Sequence, residues 1–207
     1  IKDVRSFCLE ALALKETVKD FSSPWAEKIS TLIMKPDEPL SAIDQILTPG
    51  GDVRSDASEA LYRLFSERER LARDVHHTLD RLVKDHDVEN KIQEKYVTTR
   101  DGRWVVPVRS GMAHFFPGVV HGSSQTKQTV FMEPEKVIPM NNRLRQIEVE
   151  IEDEIERLLT ELSLYLHRLT SHFEKTRDLM EEADTRFAQA QFSGFVQASP
   201  IQFSDEV

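Results

Sequence analysis

Two runs decide how this chain folds: residues 100–111, "RDGRWVVPVRSG", and residues 118–134, "GVVHGSSQTKQTVFMEP". They hold short apolar stretches, glycines and hydroxyls. On both sides lie long charged segments whose apolar residues recur at helical spacing. "KYVTTRDGRWVVPV" has the form of a hairpin, with one strand over 96–99, a turn at Asp101 and Gly102, and a second strand over 104–108. Pro107 has no N–H to donate, so it predicts an edge position or a bulge. "FFPGVVHG" and "TVFMEP" supply two further strand candidates. A β island is expected inside a helical protein.

Working upstream, Val4, Phe7, Cys8, Ala11, Leu12, Leu14 and Val18 form one apolar stripe and predict a helix over 4–21. Ser23 before Pro24 predicts a capped second helix ending near Lys35. "KPDEPL" reads as a turn, 40–47 as a short helix, and "TPGGD" at 48–52 as a break. Ser55 or Asp56 then opens a long helix reaching toward Asn90. Its seam is Ala57, Leu61, Leu64, Arg68, Leu71, Val75, Thr78 and Leu82, in alternating steps of four and three.

Downstream, Leu144, Ile147, Ile151, Ile155, Leu158, Leu162, Leu166, Leu169 and Phe173 repeat that rhythm and predict a second long helix from Asn141 to Gln191. One helix of that extent would be roughly 75 Å long, the length of an arm rather than of a globular core. The crowded acids Glu148, Glu150, Glu152, Asp153, Glu154 and Glu156 read as its solvated face. The expected class is mainly α with a small β insertion: a helical core and a long antiparallel coiled-coil lever carrying a β-rich tip. The expected parts are a helical core with the first lever helix over 1–95, the β insertion over 96–140, the second lever helix over 141–192 and a linker over 193–207.

Composition narrows the function. In 207 residues, 39% hydrophobic content supports a core, while 30% charged residues and only 7 glycines favour solvated helices over a compact α/β sheet. Cys8 is the sole cysteine, which excludes an intrachain disulfide and a cysteine zinc site. A reducing, cytoplasmic setting is expected. No run of 18 apolar residues predicts a membrane span. The first residue is Ile rather than Met, so a processed or partial sequence is expected. The net charge of −9 argues against indiscriminate nucleic-acid binding over the whole surface. Only 96–136 is net basic, with five basic residues against three acidic ones.

No phosphate-loop, G-x-S-x-G or H-E-x-x-H motif is present, and no histidine pair stands at ligand spacing, so neither catalysis nor a metal is expected. Ser123, Ser124, Thr126 and Thr129 surround Lys127, a pattern that suits phosphate contact or a solvated turn. Arg100, Arg103 and Arg109 flank the first hairpin. Trp104 reads as a core residue or as a base-stacking one.

Together these motifs resemble the core and clamp region of MutS-type proteins, most closely the second bacterial branch, MutS-II, which suppresses recombination. That family shows R-x-G-R-Y-V-x-P-V-K, then G-x-V-H-D-x-S-x-S-G-x-T-x-F-I-E-P, then N-N-x-L. The matching residues are Arg100, Gly102, Arg103, Trp104, Val105, Pro107, Val108 and Arg109, then Gly118, Val120, His121, Ser124, Thr129, Phe131, Glu133 and Pro134, then Asn141, Asn142 and Leu144. "GGDVRSDASEAL" resembles the start of that family's lever helix. The family's aspartate after the histidine is Gly122 here, and its loop glycine is Lys127, which adds a charge.

The resemblance implies a DNA-binding clamp that grips the backbone of duplex or branched DNA within a homodimer. Arg100, Arg103, Arg109, His121, Ser123, Ser124 and Lys127 are the expected contacts. It leaves open a clamp acting on collided ribosomes through ribosomal RNA, and a coiled-coil spacer that touches no nucleic acid. The family's ATPase and nuclease domains are expected to lie outside this chain. No cofactor is therefore expected here, with ATP and magnesium belonging to the ATPase domain.

Overall fold

The computed structural model describes residues 1–198. Among the described residues, seven α-helices and four strands follow in the order α1 (Lys2–Val18), α2 (Pro24–Leu32), α3 (Asp37–Ile46), α4 (Glu59–Val83), α5 (His86–Glu89), β1 (Thr98–Arg100), β2 (Arg103–Arg109), β3 (Gly118–Ser123), β4 (Thr129–Pro134), α6 (Ile138–Arg168) and α7 (Thr170–Phe195). The protein is thus mainly α with a small antiparallel sheet in the order β1-β2-β4-β3. It divides into two compact units: residues 1–54 with the chain from Leu158 onward, and Ser55–Arg157. Among the described residues no helix is long and apolar enough to cross a membrane, and no cluster of potential metal ligands occurs.

In the first unit, the α1 stripe buries Cys8, Ala11 and Val18. Ala11, Val18, Ala26, Ile29, Ile33 and Leu179 form one core, and Ile43, Leu47, Leu162 and Leu166 another. Ser23 caps α2 as expected: its side chain accepts from the Ala26 N–H at 3.1 Å, and Pro24 takes the first helical position. "KPDEPL" is no free turn. Asp37, Glu38 and Pro39 form the first turn of α3, where a missing proline N–H breaks no helical bond.

In the second unit, α4 begins at Ser58, two or three residues later than the sequence suggests. The Ser58 hydroxyl accepts from the Leu61 N–H at 3.0 Å and donates to Glu154 of α6 at 2.8 Å. Farther along, Arg143 of α6 grips Glu67 of α4 with both prongs, at 2.8 and 2.9 Å, and reaches Glu150 at 2.9 Å. The two links run in opposite sequence order, so α4 and α6 lie antiparallel. The crowded acids are therefore not all a solvated face, because Glu150 and Glu154 help to fasten this pair. Hydrogen bonding to Arg143 holds Glu67 below the usual carboxylate range and raises the guanidinium in return. Arg157, with help from Ser58, holds Glu154 down at about 2.

The far half of α4 faces the sheet with Val75, Leu79 and Val83, so of the expected seam there only Val75 is fully buried, while Leu71, Thr78 and Leu82 are half-buried. Val75, Leu79 and Val83 pack with Val106, Val108, Met132, Val137 and Leu144. The stretch expected to form one helix over 141–191 is divided. α6 starts earlier, at Ile138, and Leu169 (φ −93°, ψ 4°) separates it from α7. No proline or glycine marks the break. The Leu169 N–H bonds Leu166 O in a tightened turn, and the Thr170 hydroxyl bonds His167 O at 2.6 Å. Of the linker expected over 193–207, residues 193–195 belong to α7, while 199–207, "SPIQFSDEV", lie outside the described residues.

Candidate nucleic-acid interface

The expected hairpin forms. Asp101 (φ 49°) and Gly102 (φ 75°) make a two-residue turn with both central residues left-handed, the twist that suits paired strands. Pro107 sits within β2 and causes no bulge. Its carbonyl points to the side where β1 has ended, accepting from the Gln93 N–H at 2.8 Å, so the missing donor leaves no gap in the ladder. The bulge lies instead in β3. Val120 pairs with Met132 and Gly122 with Phe131, leaving His121 as the extra residue. A bulge re-aims its side chain, and His121 reaches across to Glu133 on β4.

Glu133 is 1% exposed and is the centre of a buried polar network. Arg103 Nη1 donates to its Oε1 at 2.8 Å and its Oε2 at 3.1 Å. Asn141 Nδ2 donates to Oε1 at 2.8 Å, and His121 Nε2 contacts Oε2 at 2.6 Å. A carboxylate only accepts, so Nε2 carries the proton and Nδ1 is the ring nitrogen left free. Asn141, fully buried, also treats β2 as a strand neighbour would: its Oδ1 accepts from the Trp104 N–H and its Nδ2 donates to Trp104 O, each at 3.1 Å. Asn142 Oδ1 accepts from Arg103 Nη2 at 2.8 Å. Three strands and the first turn of α6 are stapled together by these groups. Gly118 makes the close approach possible, since a Cβ there would lie 2.2 Å from Glu133 O.

The expected contact residues thus separate into two groups. Arg103 and His121 spend polar atoms inside the sheet, and Arg103 is neutralised by Glu133. Arg100, Arg109 and Lys127 are exposed, and among the described residues none of them has an ion-pair partner. Arg100 lies over the Phe131 ring, 4.1 Å from its centroid. Arg109 Nε donates to Ile92 O at 3.2 Å. Lys127 stands at φ 54° in the β3–β4 turn, a conformation that suits glycine. That turn is held by the Ser124 hydroxyl, which accepts from the Thr129 N–H at 3.2 Å and contacts Thr126 Oγ1 at 3.3 Å.

Arg100, His121, Ser123 and Ser124 line one open depression of about 630 Å³, together with Asp101, Gly122, Gln125, Thr126 and Phe131. Arg109 and Lys127 stand outside it. Trp104, half-buried, packs against the core, edge-on to His76. Glu133, Asn141 and Asn142 carried no assigned role in the sequence reading. Their signal was present in the E-P and N-N pairs of the motif.

No family model matches this chain. It is similar to curated relatives described as endonuclease MutS2. The identity is 34% to that of Thermotoga neapolitana and 31% to that of Caldanaerobacter subterraneus, each over 76% of this chain and 20% of the relative. It is 28% to that of Halothermothrix orenii, over 93% of this chain and 24% of the relative. The chain therefore spans about a fifth to a quarter of the length of the curated relatives it matches.

Proposed function

Over the residues aligned with those relatives the chain belongs to the MutS family, in its MutS2 branch, and on that premise we propose that it is the part of such a protein that grips nucleic acid. The antiparallel α4 and α6 act as the lever, and the β1–β4 sheet is the clamp tip. Arg100, Arg109 and Lys127 contact phosphates, with Ser123 and Ser124 adding hydroxyl donors. Arg103 and His121 serve indirectly, by fixing the sheet to the start of α6. The target is duplex or branched DNA, held between the tips of a homodimer, where paired arms multiply the few contacts of each. ATP-driven movement of the arms would come from parts of MutS2 proteins outside this chain.

The observation that carries this reading is the pairing of charges. The arginines of α6 and α7 that could otherwise attract a phosphate are largely occupied, as with Arg143, Arg145, Arg157, Arg177 and Arg186, each of which meets a carboxylate. Arg100, Arg109 and Lys127 are exposed, have no ion-pair partner among the described residues, and lie together in the only net-basic stretch of an acidic chain. Such cations suit phosphate oxygens, and their contribution is sensitive to salt.

The test is binding to a four-way junction, a plain duplex and structured ribosomal RNA at two salt concentrations. The Arg100→Ala/Arg109→Ala/Lys127→Ala variant is measured alongside. Three phosphate contacts predict a slope of log K against log salt of about −3, and the variant should flatten it. Salt-sensitive binding confined to RNA would replace the DNA reading by the ribosomal one. Absence of binding at low salt, or an unchanged slope in the variant, would refute the clamp assignment.

A further inference from the structure

We propose that the depression beside Arg100 takes a single unpaired nucleobase, stacked on the Arg100 guanidinium. The inference rests on the nucleic-acid reading above and narrows it to a ligand class. Its first support is the platform. Phe131 is only 7% exposed and is fixed in β4, and the Arg100 guanidinium lies 4.1 Å from its centroid. A planar cation held over a fixed ring loses little freedom when a second planar group settles on its outer side, and guanidinium planes are stacking partners for splayed-out bases. Arg100 is itself exposed, so that side is open.

The second support is the mixture of groups around the platform. A site built only for phosphate would carry donors. This depression also holds the Asp101 carboxylate, next to Arg100, and that group repels a phosphate. His121 lines it too, with Nε2 committed to buried Glu133 and Nδ1 left free. Gln125, Ser123 and Thr126 can donate or accept. Acceptors and donors side by side match the edge of a base, which offers both, better than a sugar-phosphate backbone. The volume of about 630 Å³ falls within the range of small-molecule sites. A base inside a duplex cannot reach such a site without leaving its stack, so a base already unpaired enters at least cost.

The experiment uses the whole chain and three DNA hairpins of equal length: fully paired, with a one-nucleotide bulge, and with an abasic bulge. Affinities are read by fluorescence anisotropy, for the wild type and for Arg100→Lys, which keeps the charge and removes the plane. The wild type should bind the bulged hairpin about tenfold more tightly than the paired one, in line with one stacked base. The abasic bulge should behave like the paired hairpin. Arg100→Lys should bring the ratio of bulged to paired affinity to about one, and that ratio, not either affinity alone, is the readout. Equal affinity of the wild type for all three hairpins would overturn the inference and leave the clamp reading standing. So would an abasic bulge bound as tightly as the base-bearing one, or a preference that survives in Arg100→Lys. Failure to bind any hairpin at low salt would overturn both.

Discussion

Replacing Glu133 by Gln should loosen the sheet unit by about 3 kcal/mol, the lower end of the cost of breaking a buried ion pair from one side. The side chain keeps its shape, so no cavity opens. What changes is the match of donors and acceptors. Glu133 accepts from Arg103 at 2.8 and 3.1 Å, from Asn141 at 2.8 Å and from His121 at 2.6 Å. An amide turns one of those acceptors into a donor facing donors, and it removes the charge opposite Arg103. The estimate stays at the lower end for two reasons. The Arg103 side chain is 28% exposed, so water takes up part of the loss, and His121 can change tautomer to accept from the new NH₂.

Urea unfolding followed by Trp104 fluorescence measures this, because Trp104 bonds Asn141 through both backbone groups. Trp25→Phe removes the other tryptophan. It breaks no hydrogen bond, since the buried Trp25 Nε1 has no partner. His121→Ala made in the Glu133→Gln background should cost less than in the wild type, the signature of two groups in one network. A loss below about 1 kcal/mol for Glu133→Gln, the range of ordinary surface changes, would refute the claim that this network holds the sheet to α6.

Three further outcomes follow from particular residues. Lys127→Gly should raise stability by about 0.5–1 kcal/mol in thermal melts, because φ 54° is strained for lysine and free for glycine; it should also weaken nucleic-acid binding. Gly118→Ala should destabilise by more than about 3 kcal/mol, since a Cβ 2.2 Å from a backbone oxygen forces β3 away from β4; soluble yield and melting temperature will report it. Glu154 has a folded-state value of about 2, depressed from 4.5 mainly by Arg157. Its contribution to stability is therefore complete above the unfolded value and lost as the pH falls from about 4.5 toward about 2. Glu154→Gln should make stability less dependent on pH in that window.

Local chemistry carried a large part of this fold. Ser23 before Pro24 caps a helix, and Asp101 with Gly102 makes the hairpin turn, because both depend on residues a few positions apart. The seam from Leu144 to Leu166 was legible for the same reason, and Leu144, Ile147, Ile151, Leu158, Leu162 and Leu166 are all buried. Boundaries were less so. Ser55, Asp56 and Ser58 are all competent caps, and the bond from Ser58 to Glu154 on a helix ninety-six residues away distinguishes the one in use. The break at Leu169 was invisible, since Leu166, Leu169 and Phe173 keep the helical rhythm through it.

The site divides along the same line. Sequence alone singled out the basic β island and its arginines, because charge and hydroxyl content are properties of a segment. It could not tell an arginine that is free from one that is spent. Arg103 and Arg100 stand on the same hairpin, yet one meets a carboxylate thirty residues away and the other a phenyl ring thirty-one away. Strand order and the bulge at His121 make those meetings, and both depend on which distant residues the folded chain brings within bonding distance.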